Sequence, residues 1–205
     1  MISGSSIRRP LLAGLCAFAA MAFACGAVRA ETPSAAWDVK QLMQSMRQVK
    51  TARATFVERK YLSIVSGPLE SSGTLLYNAP DRLEKHTLLP APESLVLAGD
   101  ELTITNEAKH QRRTLALQDY PIVWAFVESI RSTLAGDLPT LSRFYGVGLE
   151  GDAAQWQLIL TPNEPSIRAA VSEIRIVGGR NQVASIEIVE PGGDRSVMTI
   201  TEEGR

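Results

Sequence analysis

Cysteine is nearly missing from this 205-residue chain: Cys16 and Cys25 are the two present, and both fall near its start. The rest has no means of forming a disulfide framework or a cysteine-ligated metal centre, so it must fold by packing and hydrogen bonding alone. Histidine is as scarce. His86 and His110 are the two present, and neither has a second histidine or a cysteine nearby. A metal site needs three or four converging ligands, so none is expected. The chain has no GxSxG elbow, no HExxH and no phosphate-binding glycine loop. Ser71 and Ser72 before Gly73 read as turn chemistry rather than as a nucleophile. Asp and Glu are scattered, which leaves open a hydrolase built on two carboxylates. There is no basic tract: 21 Lys and Arg are interspersed with 22 Asp and Glu. Nucleic acid, which demands a concentrated positive surface, is therefore not an expected partner.

One long apolar run is present. Arg8 and Arg9 precede an uncharged, proline-free stretch over residues 11–25, and Val28 and Ala30 stand at small-residue positions before Glu31. This is the pattern of a secretory signal peptide, with cleavage after Ala30. The run is short of the ~20 residues that cross a bilayer as a helix, which argues against a membrane anchor. Lipid attachment at Cys25 is a further alternative, but Phe23 and the lack of an upstream Leu fit it poorly. The expectation is a signal peptide at residues 1–30 and a single periplasmic domain at 31–205, without cysteine and net acidic once Arg8, Arg9 and Arg29 are removed. That length suits one domain with its own hydrophobic core.

Periodicity then divides the domain. Asp38 followed by Gln41 is a capping box, with Trp37 and Leu42 as its hydrophobic staple. Val39, Leu42, Met46 and Val49 recur at helical spacing, which predicts a helix to about Lys50. From residue 54 the period becomes two, with Ala54, Phe56 and Glu58 on one face and Thr55, Val57 and Arg59 on the other. SGTLLY, RLEKHTLL, ESLVLA, ELTIT and HQRRTLAL follow as strands between short turns. Pro121 opens a second helix whose stripe is Val123, Phe126 or Val127, Ile130 and Leu134, and Gly136 ends it. Trp124 lies one residue off that stripe. A short helical piece is predicted at residues 138–144, then strands at WQLILTP, AVSEIRIV, VASIEIVE and SVMTITE.

About nine or ten strands and two principal helices, without βαβ alternation or repeats, predict a mainly β (α+β) fold. Its form is a strongly curved antiparallel sheet, or incomplete β-barrel, with a helical lid on the apolar concave side. Leu42, Met46, Phe56, Leu75, Phe126 and Ile130 are the candidate lining between lid and sheet. That interior is either a ligand cavity or a fully packed core. With no catalytic, cofactor-binding or metal constellation, the residues point to a binding module.

The stretch LMQSMRQVKTARATFVERK resembles the amphipathic helix and A-x-F-x-Q strand of the periplasmic outer-membrane lipoprotein carrier (LolA-like) family, as a divergent branch, with Glu58 at the position of the family's Gln. The segment from Gly73 to Leu102 is similar too, through Leu75, Pro80, Leu83, Pro90, Glu93, Val96 and Gly99. The resemblance implies an open barrel with a helical lid, no enzymatic activity and no cofactor. It implies a monomeric carrier of lipoprotein or lipid acyl chains, loaded by an inner-membrane transporter and unloaded at an outer-membrane acceptor. Two departures touch the hand-off: Ala79 stands where the carriers have an Arg that closes the lid, and the carriers continue beyond the strand that here precedes Arg205. The alternatives are a non-catalytic assembly or scaffold protein that binds a protein partner, and the carboxylate-based hydrolase.

Overall fold

The computed structural model describes residues 37–203. The expected signal peptide at residues 1–30 lies outside the described residues.

Helix α1 (Val39–Met46) starts at the predicted box. The Asp38 carboxylate accepts the Gln41 backbone N–H at 2.8 Å, and the Gln41 side chain accepts the Asp38 N–H at 3.1 Å. The helix stops at Met46, four residues short of the expected end, because the Val49 N–H turns back to the Met46 carbonyl and leads directly into β1 (Thr51–Tyr61). A meander follows: β2 (Leu69–Asn78), β3 (Arg82–Leu89), β4 (Glu93–Ala98), β5 (Glu101–Asn106) and β6 (Gln111–Ala116). Ser71 and Ser72 lie within β2 rather than in a turn, paired with Glu58 and Val57 of β1.

Helix α2 (Pro121–Ala135) and α3 (Leu138–Phe144) interrupt the strands. Gly136 ends α2 in the left-handed conformation at φ 67°, as a glycine at that position permits. The last strands are β7 (Tyr145–Gly151), β8 (Trp156–Pro162), β9 (Glu173–Gly179), β10 (Gln182–Val189) and β11 (Arg195–Glu202), with the single turn α4 (Pro165–Arg168) between β8 and β9. Strand β7 is not predicted from sequence: Gly146, Gly148 and Gly151 remove the side-chain alternation by which a strand is read.

Among the described residues eleven strands form one antiparallel sheet in the order β6-β5-β4-β3-β2-β1-β11-β10-β9-β8-β7. The first and last strands of the chain pair at its centre, Phe56 opposite Ile200, so each half of the sequence makes one arm. β6 and β7 end the arms as unjoined edges, which makes the sheet open. It is also strongly curved. Leu102 of β5 and Ile176 of β9 border one cavity, whereas a flat sheet would separate those strands by seven steps of about 4.8 Å, roughly 34 Å.

The helices do not cover the two arms equally. Leu42 and Met46 of α1, Leu141 of α3 and Ile167 of α4 pack with Tyr145, Trp156, Leu158, Leu160, Ile174 and Ile176 into a close core on the β7–β9 arm. The apolar sides of β8 and β9 are those the alternation assigns: Trp156, Leu158, Leu160, Ile174 and Ile176 are all buried. Opposite the other arm, a space remains.

Candidate ligand cavity

That space is a cavity of about 300 Å³ between α2 and the concave side of β1–β5 and β9–β11. The sheet contributes Ala54, Leu75, Tyr77, Leu83, Leu95, Leu97, Leu102, Ile186, Ile188, Met198 and Ile200. These residues alternate along their strands, as the pleat requires, and Leu76 of β2 and Glu84 of β3 border the space as well. In β10 the register shifts between Val183 and Ser185, and this brings Val183 to the lining beside Ile186 and Ile188. The helix contributes Val123, Phe126, Val127, Ile130 and Leu134, the stripe legible in its sequence.

Among the six expected lining residues, Met46, Leu75, Phe126 and Ile130 border the cavity. Leu42 is fully buried in the core beneath α1, and Phe56, on the same β1 face as Ala54 and Glu58, is buried without bordering the cavity. The two neighbours in the α1 stripe thus part company: Leu42 points into the packed arm, while Met46 touches both.

Helix α2 is mounted by its polar side. Glu128, Ser129, Ser132 and Thr133 are buried, whereas Phe126 of the apolar stripe keeps 37% of its surface exposed. Burying that polar side requires every group to find a partner. The Ser129 and Thr133 hydroxyls donate to the Phe126 and Ser129 carbonyls. Glu128 accepts from Trp124 Nε1 at 3.1 Å, from Ser132 Oγ at 2.8 Å and from the Arg131 guanidinium. Trp124, off the apolar stripe, is held there with its ring 5.5 Å from that of Phe144. Arg131 continues the chain of bonds, donating to the Gly99 carbonyl at 2.6 Å and lying 3.3 Å from Asp100, so α2 is tied to the β4–β5 turn. A second tie comes from Tyr145, whose hydroxyl donates to the Ala125 carbonyl at 3.0 Å; burial pushes its phenol up to about 12. Ala79 offers its backbone N–H to the Lys50 carbonyl at 2.8 Å.

The lining also holds an ion pair. Lys85 of β3 reaches Glu58 of β1 at 2.5 Å, and Ser196 of β11 donates to the other Glu58 oxygen at 2.6 Å. Lys60 stands 3.7 Å from that oxygen, and the Lys85 ammonium lies 4.9 Å from the centre of the Phe56 ring. Burial alone would raise the Glu58 carboxyl; the bonds from Lys85 and Ser196 and the charges of Lys85 and Lys60 outweigh it and hold the group below its ordinary range. The Tyr77 hydroxyl is buried in the lining without a hydrogen-bond partner. None of these polar groups was singled out as a site from the sequence. The one signal was Glu58 in place of the family's Gln. Among the described residues no group of three or more His, Cys, Asp or Glu is placed to hold a metal ion.

The sequence profile of the family described as "Outer membrane lipoprotein carrier protein LolA-like" matches residues 30–201. No curated protein matches the chain. Among solved structures, a LolA superfamily protein from Nitrosomonas europaea aligns at 10% identity and a TM-score of 0.45, over 81% of this chain and 92% of that one. MucB in the MucA/MucB complex of Pseudomonas aeruginosa aligns at 16% identity and a TM-score of 0.45, over 80% of this chain and 54% of that one, so the chain spans about half its length. A putative outer membrane lipoprotein-sorting protein domain from Vibrio parahaemolyticus aligns at 8% identity and a TM-score of 0.41, over 80% and 91%.

Proposed function

The chain belongs to the outer membrane lipoprotein carrier protein LolA-like family, and from that premise we propose that it binds the acyl chains of a lipoprotein or lipid in the cavity and carries them through the periplasm toward the outer membrane. The observation that carries this reading is the orientation of α2. Its polar side is buried and fully hydrogen-bonded, while its apolar stripe borders the cavity, with Ile130 and Leu134 also touching the core and Phe126 left part-exposed. A helix whose job was core packing would bury the stripe instead. Each methylene taken from water into such a space gains about 0.8 kcal/mol, so a chain of about eight carbons gains roughly 6 kcal/mol before the costs of association. The signal-peptide pattern at residues 1–30 supports a periplasmic location. On this reading the protein is a monomer that receives cargo from an inner-membrane transporter and passes it to an outer-membrane acceptor, without catalysis or cofactor.

The two alternatives make different demands. A hydrolase would need two carboxyl groups flanking a substrate, but the buried carboxylates Glu58 and Glu128 are each bound to a cation, Lys85 and Arg131. A scaffold would bind its partner on the outer surface and leave the interior empty. Native mass spectrometry and lipid extraction of protein purified from the periplasm separate carrier from scaffold. A carrier retains acyl-chain mass in a one-to-one adduct and binds a fluorescent fatty-acid analogue that lipid displaces. Protein that is empty, binds no analogue and captures a specific protein instead overturns the proposal.

A further inference from the structure

The cavity has a charged feature that binding acyl chains does not require. Isolated apolar side chains would line it more cheaply than an ion pair, because desolvating two charges costs more than their attraction commonly returns. Yet Glu58, 5% exposed, and Lys85 are both in the lining. Their bonding is unequal. One Glu58 oxygen is taken by Lys85 and the other by Ser196, with Lys60 close by. Lys85 has three N–H donors, and Glu58 is its one hydrogen-bond partner among the described residues. The group of Glu58, Lys85 and Lys60 sums to one positive charge. Two further carboxylates border the cavity and each has its own partners: Glu84 is engaged by Arg82 and His86, and Glu202 accepts from Gln182 Nε2.

Resting on the acyl-chain reading above, we propose that the cavity selects a single-chain amphiphile with an anionic head, which Lys85 binds through its free donors while the chain lies against α2 and the sheet. Glu58 and Ser196 act as positioning residues. They hold the ammonium at the lining, where it would otherwise extend to water, and the Phe56 ring supports it from the side. An anionic head fits because each Glu58 oxygen already has a hydrogen-bond partner, Lys85 or Ser196, and the charges of the two lysines beside it offset its repulsion of a second anion. A cationic head at Lys85 meets the net positive group of Glu58, Lys85 and Lys60, and a neutral head gains one hydrogen bond without the charge.

The test is isothermal titration calorimetry on delipidated protein with four probes of equal chain length: dodecanoate, dodecyl phosphate, dodecanol and dodecyltrimethylammonium. The expected order places at least one anionic probe about tenfold or more tighter than dodecanol, with the cationic probe weakest. Whether dodecanoate or dodecyl phosphate leads tells a carboxylate from a phosphate head. Lys85→Met should lose the anionic preference, weakening the anionic probes by more than it weakens dodecanol, and Lys85→Arg should keep it. Glu58→Gln should strengthen the anionic preference, since it removes the competing carboxylate and keeps the acceptor oxygen. The head-group series on the unaltered protein decides the matter even where a variant fails to fold. Equal binding of all four probes overturns the selectivity and leaves acyl-chain carriage standing. An anionic preference unchanged in folded Lys85→Met overturns the assignment of the head-group site to Lys85. No binding of any probe overturns both.

Discussion

Replacing Arg131 by Met tests whether α2 is held by its buried charge. The guanidinium bonds Glu128 within the helix and the Gly99 carbonyl across to the β4–β5 turn. Glu128 is 2% exposed, so the substitution leaves a buried carboxylate with Trp124 Nε1 and Ser132 Oγ as its remaining donors. Breaking one side of a buried pair costs about 3–5 kcal/mol. The Arg131 side chain retains 15% of its surface, which lets water approach and sets the expectation near the lower end, about 3 kcal/mol. For a domain of this size that corresponds to a fall in Tm of roughly 6–12 °C. Glu128→Gln in the same background removes the orphaned charge but keeps an acceptor for Trp124 and Ser132. The double variant should therefore recover at least about 1.5 kcal/mol relative to Arg131→Met alone, a coupling of the size seen between groups in one network. Urea unfolding followed by tryptophan fluorescence measures both. The reasoning fails if Arg131→Met costs under about 1 kcal/mol, or if the double variant is no more stable than the single one.

Three other outcomes follow from the same geometry. Because Glu58 is held below its ordinary value of 4.5, the folded state binds fewer protons than the unfolded state in that region; its contribution is present above about pH 4.5 and is lost as pH falls through the folded value. Glu58→Gln should flatten that part of the acid limb in pH-dependent urea titrations, and an unchanged slope would contradict the assignment. Phe126→Asp should weaken binding of a fluorescent fatty-acid analogue by tenfold or more while shifting Tm by only a few degrees, whereas Leu42→Ala, in the closed core, should cost about 2–5 kcal/mol in stability; the reverse pattern would place the cavity elsewhere. Gly136→Ala must put a Cβ at φ 67° against the Met43 carbonyl and the Arg47 side chain, so a loss of about 1–3 kcal/mol is expected by thermal denaturation, and a neutral result would mean that α1 and α2 separate there.

Features set by neighbouring residues were legible in the sequence. The Asp38–Gln41 box, the left-handed stop at Gly136, the apolar stripe of α2 and the alternation of β8 and β9 each depend on backbone geometry within a few residues, and each is found where it was expected. Glycine hid β7, because a strand without side chains at alternate positions has no period to read. What each face would meet was settled only by the tertiary structure. Periodicity says that Leu42 and Met46 share a side of α1, but the packing of the β7–β9 arm decides that one is sealed and the other reaches the cavity. It marks Val123, Phe126 and Ile130 as one stripe of α2, but the satisfied polar network around Glu128 decides that the opposite side is the one buried. The charged lining lay furthest out of reach: Glu58 meets Lys85 across 27 positions and Ser196 across 138. That meeting exists because β11 closes onto β1 and β3 bends round with the sheet, and a sequence carries no local trace of which distant strand will supply the counter-charge.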